Sequence, residues 1–105
     1  MDEQYLTLAE IKELLLKEQS NRILTMEQSY ALEHANKFAK LDAKDARKLV
    51  KELLDIEFMT EAIACKVVDL MPGHKDEMDS ILLKERINLE DGAINQILDK
   101  VKQYL

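Results

Sequence analysis

Two glycines and one proline are the only strong backbone breakers in 105 residues, and two of the three, Pro72 and Gly73, are adjacent. Strand-rich folds need frequent tight turns, which draw on Gly, Pro, Asn and Asp where other residues resist the backbone angles. This chain has little with which to turn a sheet, and it is punctuated instead by helix starts. In Thr7-x-x-Glu10 and Thr25-x-x-Gln28 the hydroxyl can accept from the amide three residues on, while the acid or amide side chain reaches back to the cap. Asp42, Thr60 and Asn88 stand in the same capping relation to the apolar runs that follow them. The expected fold class is all-α.

Apolar residues recur at helical spacing behind each cap. Ile11, Leu14 and Leu15, with Leu8, form the stripe of a first helix that fades over Glu18 to Arg22. Leu6 before the Thr7 cap and Ile11 at the fourth helical position are placed as a hydrophobic staple. A second helix, Met26 to about Lys40, sets Tyr30, Ala31, His34, Ala35 and Phe38 three and four apart, which predicts an inward face there. In the third, Ala46, Leu49, Val50, Leu53 and Leu54 follow the i, i+3, i+4, i+7, i+8 pattern. The fourth buries Ile63, Ala64, Val67, Val68 and Met71 and is stopped by Pro72-Gly73. A fifth over Lys75 to Glu85 offers Met78, Ile81 and Leu82, and a sixth offers Ala93, Ile94, Ile97, Leu98 and Val101. The short connections make consecutive helices neighbours, so helices three to six should close a bundle from which helices one and two project. Residues 1–40 are read as an arm and helices for partner binding, and residues 41–105 as the bundle. Ahead of the first cap, Glu3 to Leu8 is a short β-prone stretch that suits an extended arm.

Hydrophobic residues at 47% and charged residues at 34% are values of a globular chain with a core. Cys65 is the only cysteine and has no intrachain partner. No signal segment precedes the Thr7 helix start, and no apolar run approaches the roughly 20 residues needed to cross a bilayer. A reducing, cytoplasmic setting is expected, with no membrane involvement. The net charge of −6 disfavours general attraction to phosphate backbones. Its distribution is uneven, because residues 37 to 51 carry Lys37, Lys40, Lys44, Arg47, Lys48 and Lys51 against Asp42 and Asp45.

No spacing in the chain supplies a catalytic centre. It lacks a Gly-rich phosphate loop, HExxH, CxxC and a nucleophile elbow. His34, between Tyr30 and Phe38, reads as a packed or rim residue rather than a metal ligand. Cys65 beside the fourth stripe reads as a small buried side chain. No cofactor is expected. The basic side of the third helix, Lys44, Arg47, Lys48 and Lys51, is either a solvated face or a site for RNA or an acidic partner surface. Phe38 is the one aromatic residue near it, and its position in the helical pattern points inward, so base stacking has little support. The leading segment also allows two readings: Tyr5, Leu6 and Leu8 cover the bundle, or they add an extended strand to a partner's sheet.

Three segments carry a family resemblance: Met26-Glu27-Gln28-Ser29-Tyr30-Ala31-Leu32, Lys37-Phe38-Ala39-Lys40-Leu41, and Ala46-Arg47-Lys48-Leu49-Val50-Lys51-Glu52-Leu53-Leu54. With the run from Ala64 to Pro72, the acidic Asp76-Glu77 and Ile81-Leu82, they resemble the F-type stalk subunit of archaeal DNA-directed RNA polymerase. That family is the counterpart of the fourth subunit of eukaryotic polymerase II. The resemblance covers nearly the whole chain. It implies an HRDC-like helical fold and no catalytic role. It also implies a heterodimer with the E-type stalk subunit, the counterpart of the seventh subunit of the eukaryotic enzyme. That pair projects from the polymerase core as a stalk and assists promoter opening, nascent RNA contact, elongation and termination. Gly92 in the first turn of the last helix and Pro72-Gly73-His74 depart from the family pattern.

Two hypotheses follow. In the first, Tyr5, Leu6, Leu8, Ile11, Leu14 and Leu15 bind the E-type partner, because they exceed what one small bundle can bury, and Lys44, Arg47, Lys48 and Lys51 face RNA or the polymerase. In the second, the chain is a stand-alone HRDC-like nucleic-acid-binding module with the basic helix as its binding face; its overall acidity weighs against this.

Overall fold

The computed structural model describes residues 5–105. Those residues form six helices: α1 (Leu8–Asn21), α2 (Met26–Phe38), α3 (Ala43–Leu53), α4 (Glu61–Leu70), α5 (Lys75–Glu85) and α6 (Asp91–Lys102). No strand occurs among the described residues, so the fold is an all-α bundle. Glu3 and Gln4 of the expected arm lie outside the described residues.

Both capping boxes form reciprocally. Thr7 Oγ1 accepts from the Glu10 amide at 3.2 Å while Glu10 Oε1 accepts from the Thr7 amide at 3.0 Å. Thr25 and Gln28 repeat the exchange at 3.2 and 3.1 Å. Asp42 caps α3 through the Asp45 amide, and Thr60 caps α4 through that of Ile63. The last helix differs from expectation. Its cap is Glu90, with no side-chain bond, and not Asn88.

Helices α3, α4, α5 and α6 close a ring in which α3 packs on α4 and α6, and α5 on α4 and α6. Leu49, Leu53, Ile63, Met78 and Ile97 are fully buried at its centre, each contributing about 1.5 to 3 kcal/mol relative to exposure. Tyr104 Oη donates to Glu52 Oε2 at 2.9 Å and ties the end of α6 to α3. Cys65 is buried in the same core. Helix α1 leans on α3, with Ala9 in the bundle core, and α2 packs on α1. The α1–α2 hairpin therefore extends the molecule to 47 × 31 × 21 Å, with a radius of gyration of 14.7 Å against about 13 Å for a compact chain of this length.

Two helix faces differ from the sequence pattern. On α2 the buried residues are Leu32 and Ala35, whereas Tyr30, 64% exposed, and Phe38 point outward. Met26, Tyr30, His34 and Phe38, four apart, lie along one open side, and the His34 and Phe38 rings meet at 4.8 Å. Helix α1 is the main neighbour of α2, and the face of α2 that is buried is the Leu32–Ala35 pair rather than the aromatic one. Leu54 closes α3 as its C-cap and stays exposed rather than joining the core.

Helix α4 ends at Leu70, and its C-cap Met71, directly before Pro72, lies in the left-handed region at φ 47°. Arg86 closes α5 the same way at φ 58°. Both helix ends thus use the stop usually given to glycine, and neither glycine of the chain has positive φ. Gly92 sits inside the first turn of α6, where an added Cβ meets nothing within 4 Å. Gly92→Ala should therefore raise stability by about 0.5 to 1 kcal/mol. Thermal unfolding followed by circular dichroism checks this as a rise of a few degrees in the midpoint.

Candidate partner-binding surface

The start of α1 is fastened to the bundle by polar groups. The Arg47 guanidinium on α3 grips Glu10 in a two-point fork, Nε to Oε2 at 2.9 Å and Nη2 to Oε1 at 2.7 Å. Nη2 also donates to the Tyr5 carbonyl at 2.9 Å, and Nη1 reaches Glu61 Oε1 of α4 at 3.4 Å. Such forked, charge-assisted pairs are among the strongest side-chain hydrogen bonds. Across the same helix end, Asp69 Oδ1 of α4 accepts from the Leu8 amide at 2.8 Å, satisfying a first-turn donor that α1 itself cannot. Thr7, enclosed between them, is fully buried.

The charges feel this setting. Burial pushes the Glu10 carboxyl up, but the Arg47 and Thr7 hydrogen bonds and the Arg47 charge outweigh it, and the group sits below its ordinary value. The Glu10 hydrogen bond holds the Arg47 guanidinium more firmly protonated. Asp69 goes the other way. Burial raises it, and the Leu8 amide and Lys66 offset that only in part. Cys65 is pushed by burial to about 11 and keeps its proton at neutral pH.

With α1 held at its first turn, its apolar side chains are divided between core and solvent. Tyr5, Leu14 and Leu16 are 44%, 50% and 44% exposed, and Leu6, Leu8, Ile11 and Leu15 are half-buried. Leu6 and Leu14 share one groove of 420 Å³ with Glu10, Lys17 and Lys44. The structure thus brings two of the apolar candidates, Leu6 and Leu14, beside the first lysine of α3. Leu16, absent from the sequence-based set, lines a second groove that also borders Lys44, together with Ala9 and Leu41. Exposure of Leu16 was not readable because three leucines in a row place one off any single stripe, and which one depends on the neighbour.

The four basic candidates are not equivalent. Lys44, Lys48 and Lys51 are exposed on α3, whereas Arg47 is half-buried and bonded to Glu10, Glu61 and Tyr5. Its donors are engaged within the chain, which sets it apart from the three lysines. No cluster of three or more His, Cys, Asp or Glu that could hold a metal ion occurs among the described residues, and no helix there is long and apolar enough to cross a membrane.

The molecule is an all-α helical bundle with a fastened, partly uncovered leading helix, and comparison with known proteins gives it a family. A sequence model described as RNA polymerase Rpb4 matches residues 5–105. The chain is also similar to DNA-directed RNA polymerase subunit Rpo4 of Methanocaldococcus jannaschii, 34% identical over 105 residues, which cover all of this chain and 88% of that protein. The chain belongs to the RNA polymerase Rpb4 family, and the archaeal resemblance carried by its sequence holds along its full length.

Replacing Arg47 by Met leaves Glu10 without its partner in a half-buried place, and should lower stability by about 2 kcal/mol at pH 7. A lowered Glu pKa contributes stability that is complete above the ordinary value near 4.5 and is lost as pH falls through the lowered one. Asp69, raised, changes stability in the opposite sense over a window above its ordinary 3.8. Urea unfolding between pH 7 and 3 should show the wild-type advantage over Arg47→Met shrinking as pH falls through the Glu10 window.

Proposed function

We propose that this chain is a non-catalytic component of an archaeal-type DNA-directed RNA polymerase, paired with the E-type, seventh-subunit counterpart in a stalk. Through that pair it supports promoter opening, contact with nascent RNA, elongation and termination. The observation that carries the pairing is the row of uncovered apolar side chains on and just before α1, Tyr5, Leu14 and Leu16, flanked by the half-buried Leu6, Leu8, Ile11 and Leu15. Apolar groups gathered on one element of a small domain mark a contact surface. Two or three large side chains covered on binding supply several kcal/mol, since each is worth about 1.5 to 3 kcal/mol. Membership of the Rpb4 family and the similarity to a polymerase component support the wider assignment.

Lys44, Lys48 and Lys51 are the side chains proposed to meet RNA or an acidic polymerase surface. Their number and the chain's net charge of −6 support an auxiliary contact rather than free-standing nucleic-acid binding. That is why the stand-alone module is the weaker reading.

Coexpression with a tagged E-type partner tests the pairing. Leu14→Asp, and Leu6→Asp beside it in the groove, should abolish copurification, while Lys48→Glu should leave it intact. If both leucine variants copurify at wild-type yield, the interface lies elsewhere. Replacing Lys44, Lys48 and Lys51 together by Ala should flatten the log–log salt dependence of RNA binding by the pair by about two. A well-folded lone chain that binds RNA with steep salt dependence and ignores the E-type partner would support the stand-alone module instead.

A further inference from the structure

The geometry assigns Arg47 and Asp69 as positioning residues for partner capture: they hold the Tyr5–Leu8 segment in its binding shape before the partner arrives, without touching the partner themselves. This rests on the stalk pairing proposed above. The residues before α1 have no regular secondary structure of their own, since Tyr5, Leu6 and Thr7 precede the first helical turn. Left to itself, such a segment samples many backbone states, and ordering it on binding carries an entropic cost.

Two contacts from the bundle remove that freedom. Arg47 Nη2 donates to the Tyr5 carbonyl at 2.9 Å, a backbone atom, and so fixes the path of the chain whatever side chain stands there. Asp69 Oδ1 accepts from the Leu8 amide at 2.8 Å, another backbone group, three residues further on. Between these points Thr7 is fully buried, and its hydroxyl and amide are both bonded to Glu10. The bonds come from two different helices, α3 and α4, so the segment is set relative to the bundle and not merely relative to α1. The large apolar side chains left outward by this arrangement are Tyr5 and, along α1, Leu14 and Leu16. A segment fixed this way meets its partner already shaped, which removes the fractional-population penalty on association.

The test measures binding kinetics of the purified full-length chain to the purified E-type partner, together with hydrogen exchange at the Leu8 amide. Arg47→Met should speed Leu8 exchange and lower the association rate by about tenfold, as for a segment competent one tenth of the time, with the dissociation rate nearly unchanged. Asp69→Ala should act in the same direction. If Arg47→Met does not stay folded at the assay temperature, Arg47→Lys carries the test. It keeps the charge but loses the fork that serves Glu10 and Tyr5 together, and it should show a smaller drop in the same rate. Faster Leu8 exchange with an unaltered association rate would overturn the proposal and leave a purely stabilising role. Leu14→Asp, run in parallel, separates the two readings. Loss of binding in Leu14→Asp with full-speed association in Arg47→Met refutes the positioning role alone. No binding by the wild-type chain refutes the pairing, and this role with it.

Discussion

One guanidinium joins the two halves of this molecule. Arg47 stands on α3 inside the bundle, yet its nitrogens are bonded to Glu10 of α1, Glu61 of α4 and the backbone ahead of α1. Without it the hairpin of α1 and α2 would meet the bundle through the Asp69–Leu8 bond, Ala9 and the apolar contacts near Ala39 and Leu41. Apolar contact is tolerant of sliding, whereas a planar fork on a carboxylate fixes both position and direction. The angle at which the hairpin leaves the bundle is therefore an electrostatic property more than a hydrophobic one.

This division of labour explains how a chain of modest size can both fold and keep apolar surface in reserve. The ring of α3 to α6 holds most of the buried side chains and supplies the stability. The hairpin is fixed by a few directional bonds, so its own leucines need not all be spent on internal packing. In the proposed pairing, such a joint separates the surface left for the partner from the residues that make its presentation rigid.

What the sequence made legible was local. Thr7, Thr25, Asp42 and Thr60 act as caps because the bonding groups lie three residues apart, and the amphipathic stripe of α3 sits nearly as its spacing predicts, with Leu54 the exception. The outward turn of Tyr30 and Phe38 was not legible, because helical spacing says which residues share a face and not whether a neighbour exists to cover it. The ends of α4 and α5 fall where the sequence put them, at Pro72-Gly73 and at Glu85, but the left-handed backbone of Met71 and Arg86 was not legible, because neither is glycine. Arg47 was visible as a basic residue on a basic face. Its pairing with Glu10 spans 37 residues, a separation on which no local pattern bears. For the candidate surface, α1 was proposed from its surplus leucines, but the exposure of Leu16 and the contacts of Arg47 and Asp69 required the packing of α1 on α3 and its bond to α4.

Cys65 is buried with its thiol held protonated, which should make it slow to react with thiol reagents while the chain stays folded. Two cysteines introduced into one molecule, one on the hairpin and one on the far side of the bundle, would accept a pair of fluorophores or spin labels with little competition from Cys65. The tilt between hairpin and bundle thereby becomes an optical or magnetic observable in solution, open to being followed while larger assemblies form around it.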